Sequence, residues 1–193
     1  MNSPSKTAFP RLQRATVQDA DRLADLAARL FEWTYRGQDD PQDLATYIQE
    51  KFTPAAMART LTDPDAVIFI AEAESGLCGY AHLQLESAAP EVVAAHPAEL
   101  VRLYVDPSWF GQGLGAALLE AVLATAVREE ADILWLIVYH RNSRAKAFYA
   151  KHGFQSVGRR EFRLGASTSI DDVLARAVSA HISGQPHHLF KEL

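Results

Sequence analysis

Asp106–Leu123 reads DPSWFGQGLGAALLEAVL, with glycines at the alternate positions 111, 113 and 115 running straight into an apolar pattern. Leu114, Leu118, Leu119, Val122, Leu123 and Val127 fall on one stripe of a helix. Glycine lets a backbone approach a ligand closely. A helix N-terminus adds unbonded N–H groups and the positive end of its dipole. The turn is therefore read as a phosphate site, with a merely tight turn as the plain alternative. Which phosphate it holds decides the fold.

The flanks narrow the choice. AELVRLYV (98–105) is a strand candidate, and ILWLIVY (133–139) lacks polar alternation, which predicts a strand buried on both faces. Strand, helix and buried strand compose a βαβ unit with a right-handed crossover. Gly111, Gly113 and Ala116 satisfy the dinucleotide pattern G-x-G-x-x-G/A, but its context is wrong. DPSW intervenes after Val105, the unit lies past the middle of the chain, and Glu129, Glu130 and Asp132 precede the next strand instead of closing it. The G-x-x-x-x-G-K-[ST] loop is absent as well.

Outward from this unit, RLQRA (11–15) is a short strand candidate. Thr16 caps a helix that carries Leu23, Leu26, Leu30 and Trp33 at helical spacing, and RGQDDPQD breaks it. LATYIQEKF and PAAMARTL are two short helices, the second opened by Pro54. AVIFIAEAESGLCGYAHLQLES is a β-hairpin, followed by the irregular connection AAPEVVAAHP. NSRAKAFYAKHGF predicts a short helix capped by Asn142 or Ser143 and stopped at His152-Gly153. FQSVGRREFRL is a strand, GASTSIDDVLARAVSAHISGQP a loop with an extra helix near 166–186, and HHLFKEL a closing strand. Residues 1–8 read as a loose tail and residues 9–193 as one α/β domain.

Composition removes several function classes. At 193 residues with 48% hydrophobic and 22% charged, the chain is an ordinary globular one. A net charge of -5 counts against nucleic-acid binding, because no basic excess exists to neutralise phosphates. The single Cys78 excludes an internal disulfide or a cysteine zinc site, and its strand-like context reads as a buried structural thiol. No apolar run approaches the ~18 residues of a membrane span, and the N-terminus lacks a signal-peptide core. A cytoplasmic protein without membrane attachment is expected.

The arrangement V-x-P-x-x-x-G-x-G-x-G at Val105, Pro107, Gly111, Gly113 and Gly115 resembles the GNAT superfamily of N-acetyltransferases, whose signature is Arg/Gln-x-x-Gly-x-Gly/Ala. RATVQDADRLADL is similar to the family's first strand and helix, and NSRAKAFYAKHGFQSVG to its N-x-x-A-x-x-F-Y-x-K-x-G-F element. Phe110 departs from the signature, standing at the Arg/Gln position. The resemblance implies a single-domain fold with a mixed, mostly antiparallel sheet and flanking helices. It also implies acetyl-CoA as cosubstrate, and no metal.

It assigns the pyrophosphate to the backbone of Phe110, Gly111, Gln112, Gly113, Leu114, Gly115 and Ala116. The pantetheine amides then pair with the open edge at Leu103, Tyr104 and Val105, where one N–H polarises the thioester carbonyl. Asn142 and Tyr149 are seven residues apart, so they share a helix face over ~10.5 Å of rise. By the resemblance Asn142 holds the pantetheine and Tyr149 is the general acid; the plain alternatives are a helix cap and a core aromatic beside Phe148. Lys151, with Arg141, Arg144 and Lys146, is a candidate for the 3′-phosphate or a solvated charge.

Glu99 resembles the general-base glutamate of the histone-acetylating branch, six residues before Val105, although a strand-end surface acid is equally consistent. His82 and Gln84 are backup bases. His187 and His188 have no metal-ligand pattern around them. The acceptor wall implied by the resemblance includes LFEWTYRGQDDPQD, where Glu32, Asp39, Asp40 and Asp43 stand among Trp33 and Tyr35. Acids among aromatics suit a cationic amine, against the alternative of a solvated loop. The run FEWTYRGQDDPQDLATYIQEKFTP is similar to the bacterial spermidine/spermine acetyltransferase branch, which makes a polyamine or other small amine the first expected acceptor. A protein or peptide amine is the alternative, and a non-catalytic acyl-CoA-binding module is the rival from another class. The segment near 166–186 is suited to covering the site or to a homodimer contact.

Overall fold

The structure, a computed structural model, describes residues 8–38, 40–165 and 167–178. Residues 1–7 of the expected tail 1–8, residues 179–186 of the expected insert and the closing strand 187–193 lie outside the described residues. Among the described residues seven strands form one sheet: β1 (Arg11–Arg14), β2 (Ala66–Ala73), β3 (Gly76–Gln84), β4 (Pro97–Val105), β5 (Ile133–Val138), β6 (Gln155–Leu164) and β7 (Ser167–Ala177), in the order β1-β2-β3-β4-β5-β7-β6. β4 and β5 run parallel, and the other neighbours are antiparallel. The helices are α1 (Ala20–Tyr35), α2 (Pro41–Lys51), α3 (Pro54–Thr62), α4 (Leu114–Arg128) and α5 (Ser143–Lys151). No helix among the described residues is long and apolar enough to cross a membrane.

The helix starts follow from their caps. The Asp19 carboxylate accepts from the Thr16 N–H at 2.9 Å, ahead of α1. Asp40 accepts from the Gln42 N–H at 2.8 Å with Pro41 at the first helical position of α2. Thr53 accepts from the Ala56 N–H at 3.1 Å, opening α3. The caps of α2 and α3 each satisfy an N–H that the helix itself leaves without a partner.

Two cores sandwich the sheet. On one side α4 lays Leu114, Leu118, Leu119 and Val122 against Ala81, Leu83 and Leu100. On the other, α1 lays Leu23, Leu26, Leu30 and Phe31 against Ile68, Ile70 and Tyr80. A Cβ on Gly79 would stand 3.0 Å from the Tyr104 carbonyl oxygen and 3.3 Å from Leu118, so glycine permits the close approach of α4 to β3. Cys78 is buried with its thiol directed at the Ala71 carbonyl at 3.4 Å, and burial pushes its pKa up, as a structural thiol requires.

One expectation is corrected. Ser167–Ala177, read from sequence as part of a helical insert, is the strand β7, lying between β5 and β6. Ile170, Val173, Leu174 and Ala177 suit a helix stripe as well as a strand, so local pattern alone does not decide. The free edge of β5 does, because its buried N–H and C=O groups require a ladder partner. The adjacent Asp171 and Asp172 become buried by this pairing and are answered by His140 on one side and by Lys146 and Arg159 on the other.

Leu118 is fully buried at the centre of the α4 core. Leu118→Ala should lower the unfolding free energy by ~2–5 kcal/mol in urea titration, through lost burial and the cavity left behind.

Candidate active site

β4 and β5 share a ladder only over Pro97–Glu99 and Ile133–Trp135, although β4 continues to Val105 and β5 to Val138. Beyond Glu99 the two strands part, and among the described residues the β5-side edge of β4 has no strand partner. A cavity of about 450 Å³ fills this opening, floored by residues Glu99 to Tyr104 and by the turn after β5 from Tyr139 to Asn142. Its far wall is built by Phe31, Thr34 and Tyr35 of α1, Tyr47 of α2, Phe162 of β6 and residues Ser167 to Ser169 of β7.

A bulge arranges the floor. Gln84 faces Glu99 and Leu83 faces Leu100, but His82 faces Arg102, so Val101 is an extra residue in β4. The strand changes face there. Leu100, Leu103 and Val105 all reach the α4 core, while Tyr104 stacks on Tyr80 at 5.7 Å on the α1 side. Glu99 and Arg102 therefore share one face despite being three residues apart. Leu103, Tyr104 and Val105 commit their side chains to packing, which leaves their backbone for the open edge; the first two line the cavity and Val105 does not.

Glu99 lines the cavity and accepts from the Ser87 hydroxyl at 2.7 Å. Burial raises its pKa above the ordinary carboxylate value, partly offset by the Ser87 bond and by the charges of Arg160 and Arg102. Ser87 is itself held, because the Trp135 indole N–H donates to its carbonyl at 2.7 Å. Tyr149, on α5, reaches the same cavity and is buried edge-on against Phe148 and Phe154 at 5.2 and 5.4 Å. Burial pushes its phenol far above the ordinary value, so it keeps its proton at any physiological pH. Asn142 lines the cavity and also caps α5, its side-chain oxygen accepting from the Ala145 N–H at 3.0 Å. Among the described residues its NH2 group makes no hydrogen bond.

The glycine turn lies at the start of α4. Gly111 and Gly113 have φ of +73° and +88°, the left-handed region that glycine tolerates, and a Cβ on either would meet no atom within 4 Å. Gly113 is the capping residue of α4, and among the described residues no side chain caps this helix start and no acid sits in its first turn. That leaves its N–H groups without a competing anion and fits a pyrophosphate. Gly115 carries no such φ, and a Cβ there would make an ordinary 3.7 Å contact with Phe148. Leu114 is fully buried and the Gln112 amide donates to the Ser108 carbonyl at 2.7 Å, so both leave only backbone for a ligand. Ala116, half-buried, belongs to the same first turn.

At the signature position Phe110 stands edge-on to Trp33 at 5.5 Å, and the Arg144 guanidinium lies 3.6 Å over its ring. The cation that Phe110 lacks is brought to this spot by α5. Lys146 is engaged with Asp172 at 2.5 Å, and Lys151 is exposed at the far end of α5 from Asn142. Neither backup base reaches the cavity. His82 is buried, its Nε2 has no hydrogen-bond partner among the described residues, and burial together with the Arg102 charge lowers its pKa to about 4. Gln84 donates to Asp63 at 3.4 Å.

The acidic loop is placed otherwise than its composition suggests. Glu32 pairs with Arg36 at 2.9 Å, Asp40 is spent capping α2, and neither these nor Asp43 line the cavity. Asp39, His187 and His188 lie outside the described residues. Of that stretch it is Phe31, Thr34, Tyr35 and Gln38 that face the cavity. Sequence reading misses Tyr47, Arg102 and the pair His140–Asp171, whose ring nitrogen and carboxylate stand 3.2 Å apart in the cavity wall. His140 had a legible signal, since it follows the C-terminal end of a buried parallel strand, where ligand groups gather. Arg102 had none, because the bulge that turns it inward leaves no mark in the residue pattern.

Residues 64–156 match the family model of the acetyltransferase (GNAT) domain. An uncharacterized N-acetyltransferase of Mycobacterium tuberculosis is 39% identical over 160 residues, covering 83% of this chain and 98% of that protein. The spermidine N(1)-acetyltransferase of Thermoplasma acidophilum is 27% identical over 150 residues, covering 75% of this chain and 87% of that one. The fold matches the crystal structure of the PaiA N-acetyltransferase of Thermoplasma acidophilum in complex with coenzyme A, at a TM-score of 0.68 and 23% identity over 87% of this chain and 98% of that one. With its glycine turn, parted parallel strands and these relatives, the chain belongs to the GNAT family of acetyl-CoA-dependent N-acetyltransferases.

Proposed function

We propose that this protein acetylates a small primary amine by direct attack, with the amine and acetyl-CoA held together in the cavity between β4 and β5. The observation that carries this reading is that Glu99 and Tyr149 line one cavity at the edge of β4 where its ladder with β5 ends. Acetyl-CoA supplies the thioester whose acetyl group moves.

The chain's own groups divide the work. The N–H donors from Gly113 onward hold the pyrophosphate, with Arg144 beside them for phosphate charge. The free edge from Leu100 to Tyr104 pairs with the pantetheine amides, and one of its N–H groups meets the thioester carbonyl as negative charge grows there. Glu99 takes the proton from the attacking amine, directly or through a water, and its raised pKa brings its basicity closer to neutral pH. Tyr149 points its retained proton at the leaving sulfur. A phenol is a weaker acid than a thiol, with pKa values in water of about 10 and 8.5, so its help is a hydrogen bond that strengthens as sulfur gains charge. The relative named spermidine N(1)-acetyltransferase supports a small amine or polyamine acceptor.

Three measurements check this. Acetyl-CoA at ~100 Kd should add about 2.7 kcal/mol of stability, several degrees in Tm, while NAD adds none; the reverse result removes the assignment. Tyr149→Phe should cut kcat by ~10²–10⁴ with acetyl-CoA affinity nearly unchanged, and an unchanged kcat removes Tyr149 from the reaction. The base must be ionised to work, so kcat/KM should fall with acidification, starting at a higher pH than an ordinary glutamate would give. Glu99→Gln should abolish that acidic limb along with most of the rate, and a limb that survives assigns the base elsewhere.

A further inference from the structure

We infer that the acceptor carries a carboxylate next to its amine, an α-amino acid with an apolar or aromatic side chain, and that Arg102 is the residue that reads it. The inference rests on the cavity being the acetyl-transfer site. Arg102 lines that cavity, and among the described residues no carboxylate stands within ion-pair distance of it. Other inward-turned arginines are answered: Arg160 pairs with Glu91, and Arg176 donates to the His152 carbonyl at 2.7 Å. A half-buried cation without a counterion is costly, and a bound anion removes that cost.

The guanidinium is also prepared for a ligand. It lies 5.0 Å over the Phe52 ring and is hydrogen-bonded to the Tyr47 side chain, contacts that hold it in place and leave the rest of its five N–H groups for a planar carboxylate. Arg102 is opposite His82, and Glu99 is opposite Gln84, two residues along β3 on the same face, or ~7 Å apart at the strand. The ammonium and carboxylate of one α-amino acid fit across that interval, amine toward Glu99 and acid toward Arg102. Around them stand aromatic rings, with Phe31 stacked on Tyr47 at 4.8 Å and Phe162 edge-on to Tyr47 at 6.4 Å, a wall for an apolar side chain. A polyamine would instead bring a second cation toward Arg102, a like-charge contact that disfavours it.

The test is thiol release from acetyl-CoA with L-leucine and L-phenylalanine, each against its carboxamide, and with spermidine. The wild type should favour each acid over its amide by ~10–100-fold in kcat/KM, the worth of a charge-assisted bidentate bond. Arg102→Met should bring that ratio close to one while keeping the thermal shift with acetyl-CoA, and Arg102→Lys should retain part of the preference. If the wild type uses the amides or spermidine as well as the acids, or if Arg102→Met keeps the full preference, the inference is overturned while acetyl transfer stands. Preference for the amides would overturn it too, and would identify a peptide N-terminus as the acceptor. Should none of these amines turn over, thermal shifts of the coenzyme A complex with N-acetyl-leucine and its carboxamide read the same ratio, and an absent acid preference overturns the inference. Loss of the acetyl-CoA shift itself would bring down the underlying reading as well.

Discussion

The hydrogen-bond ladder between β4 and β5 ends after Glu99 and Trp135, and the rest of the molecule is arranged around that ending. A strand that leaves its partner inside a protein exposes backbone N–H and C=O groups, which must be met by water or by a ligand with matching polar spacing. The cost is contained because everything nearby is firmly held. α4 and α1 cover the two faces of the sheet, β3 secures the other edge of β4, and β7 closes the far edge of β5. What stays open is one edge, at one depth, beside one helix N-terminus.

The groups flanking that edge are positioned by relays of ordinary contacts. Arg160 pairs with Glu91 and lies 5.2 Å over the Trp135 ring; the Trp135 N–H holds Ser87, and the Ser87 hydroxyl holds Glu99. On the other side, α5 is tied to β7 by Lys146 to Asp172 and by Arg176 to the carbonyl of His152. The Lys146 bond holds the Asp172 carboxyl below its usual range despite burial. These ties fix the helix that carries Asn142 and Tyr149. A reacting group displaced by about 1 Å loses much of its effect, so such relays matter as much as the groups themselves.

The acceptor side shows why composition misleads. Glu32, Asp40 and Asp43, close in sequence to Trp33 and Tyr35, suit a cradle for a cation as well as a solvated loop. A helix shows different residues to different sides, and a cap consumes its own carboxylate. The inward face of α1 offers Phe31, Thr34 and Tyr35, while Glu32 serves Arg36 and Asp40 serves the α2 cap. The charged groups that do reach the cavity from the sheet, Glu99, Arg102 and Asp171, come from strands that the loop's composition says nothing about.

By itself the sequence determined the elements whose signals are local. Helix periodicity, caps, the hairpin turn, the buried strand and the glycine turn each arise from residues within one turn or one strand of each other. The N-x-x-A-x-x-F-Y element likewise placed Asn142 and Tyr149 on one face of α5. Tertiary structure alone decided where β7 goes, because a stretch able to form helix or strand took the one whose hydrogen bonds a waiting sheet edge could complete. It also decided that Arg102 faces the cavity with Glu99. A one-residue bulge exchanges the faces of a strand, and that exchange depends on register with β3, a property of two segments together that neither sequence contains.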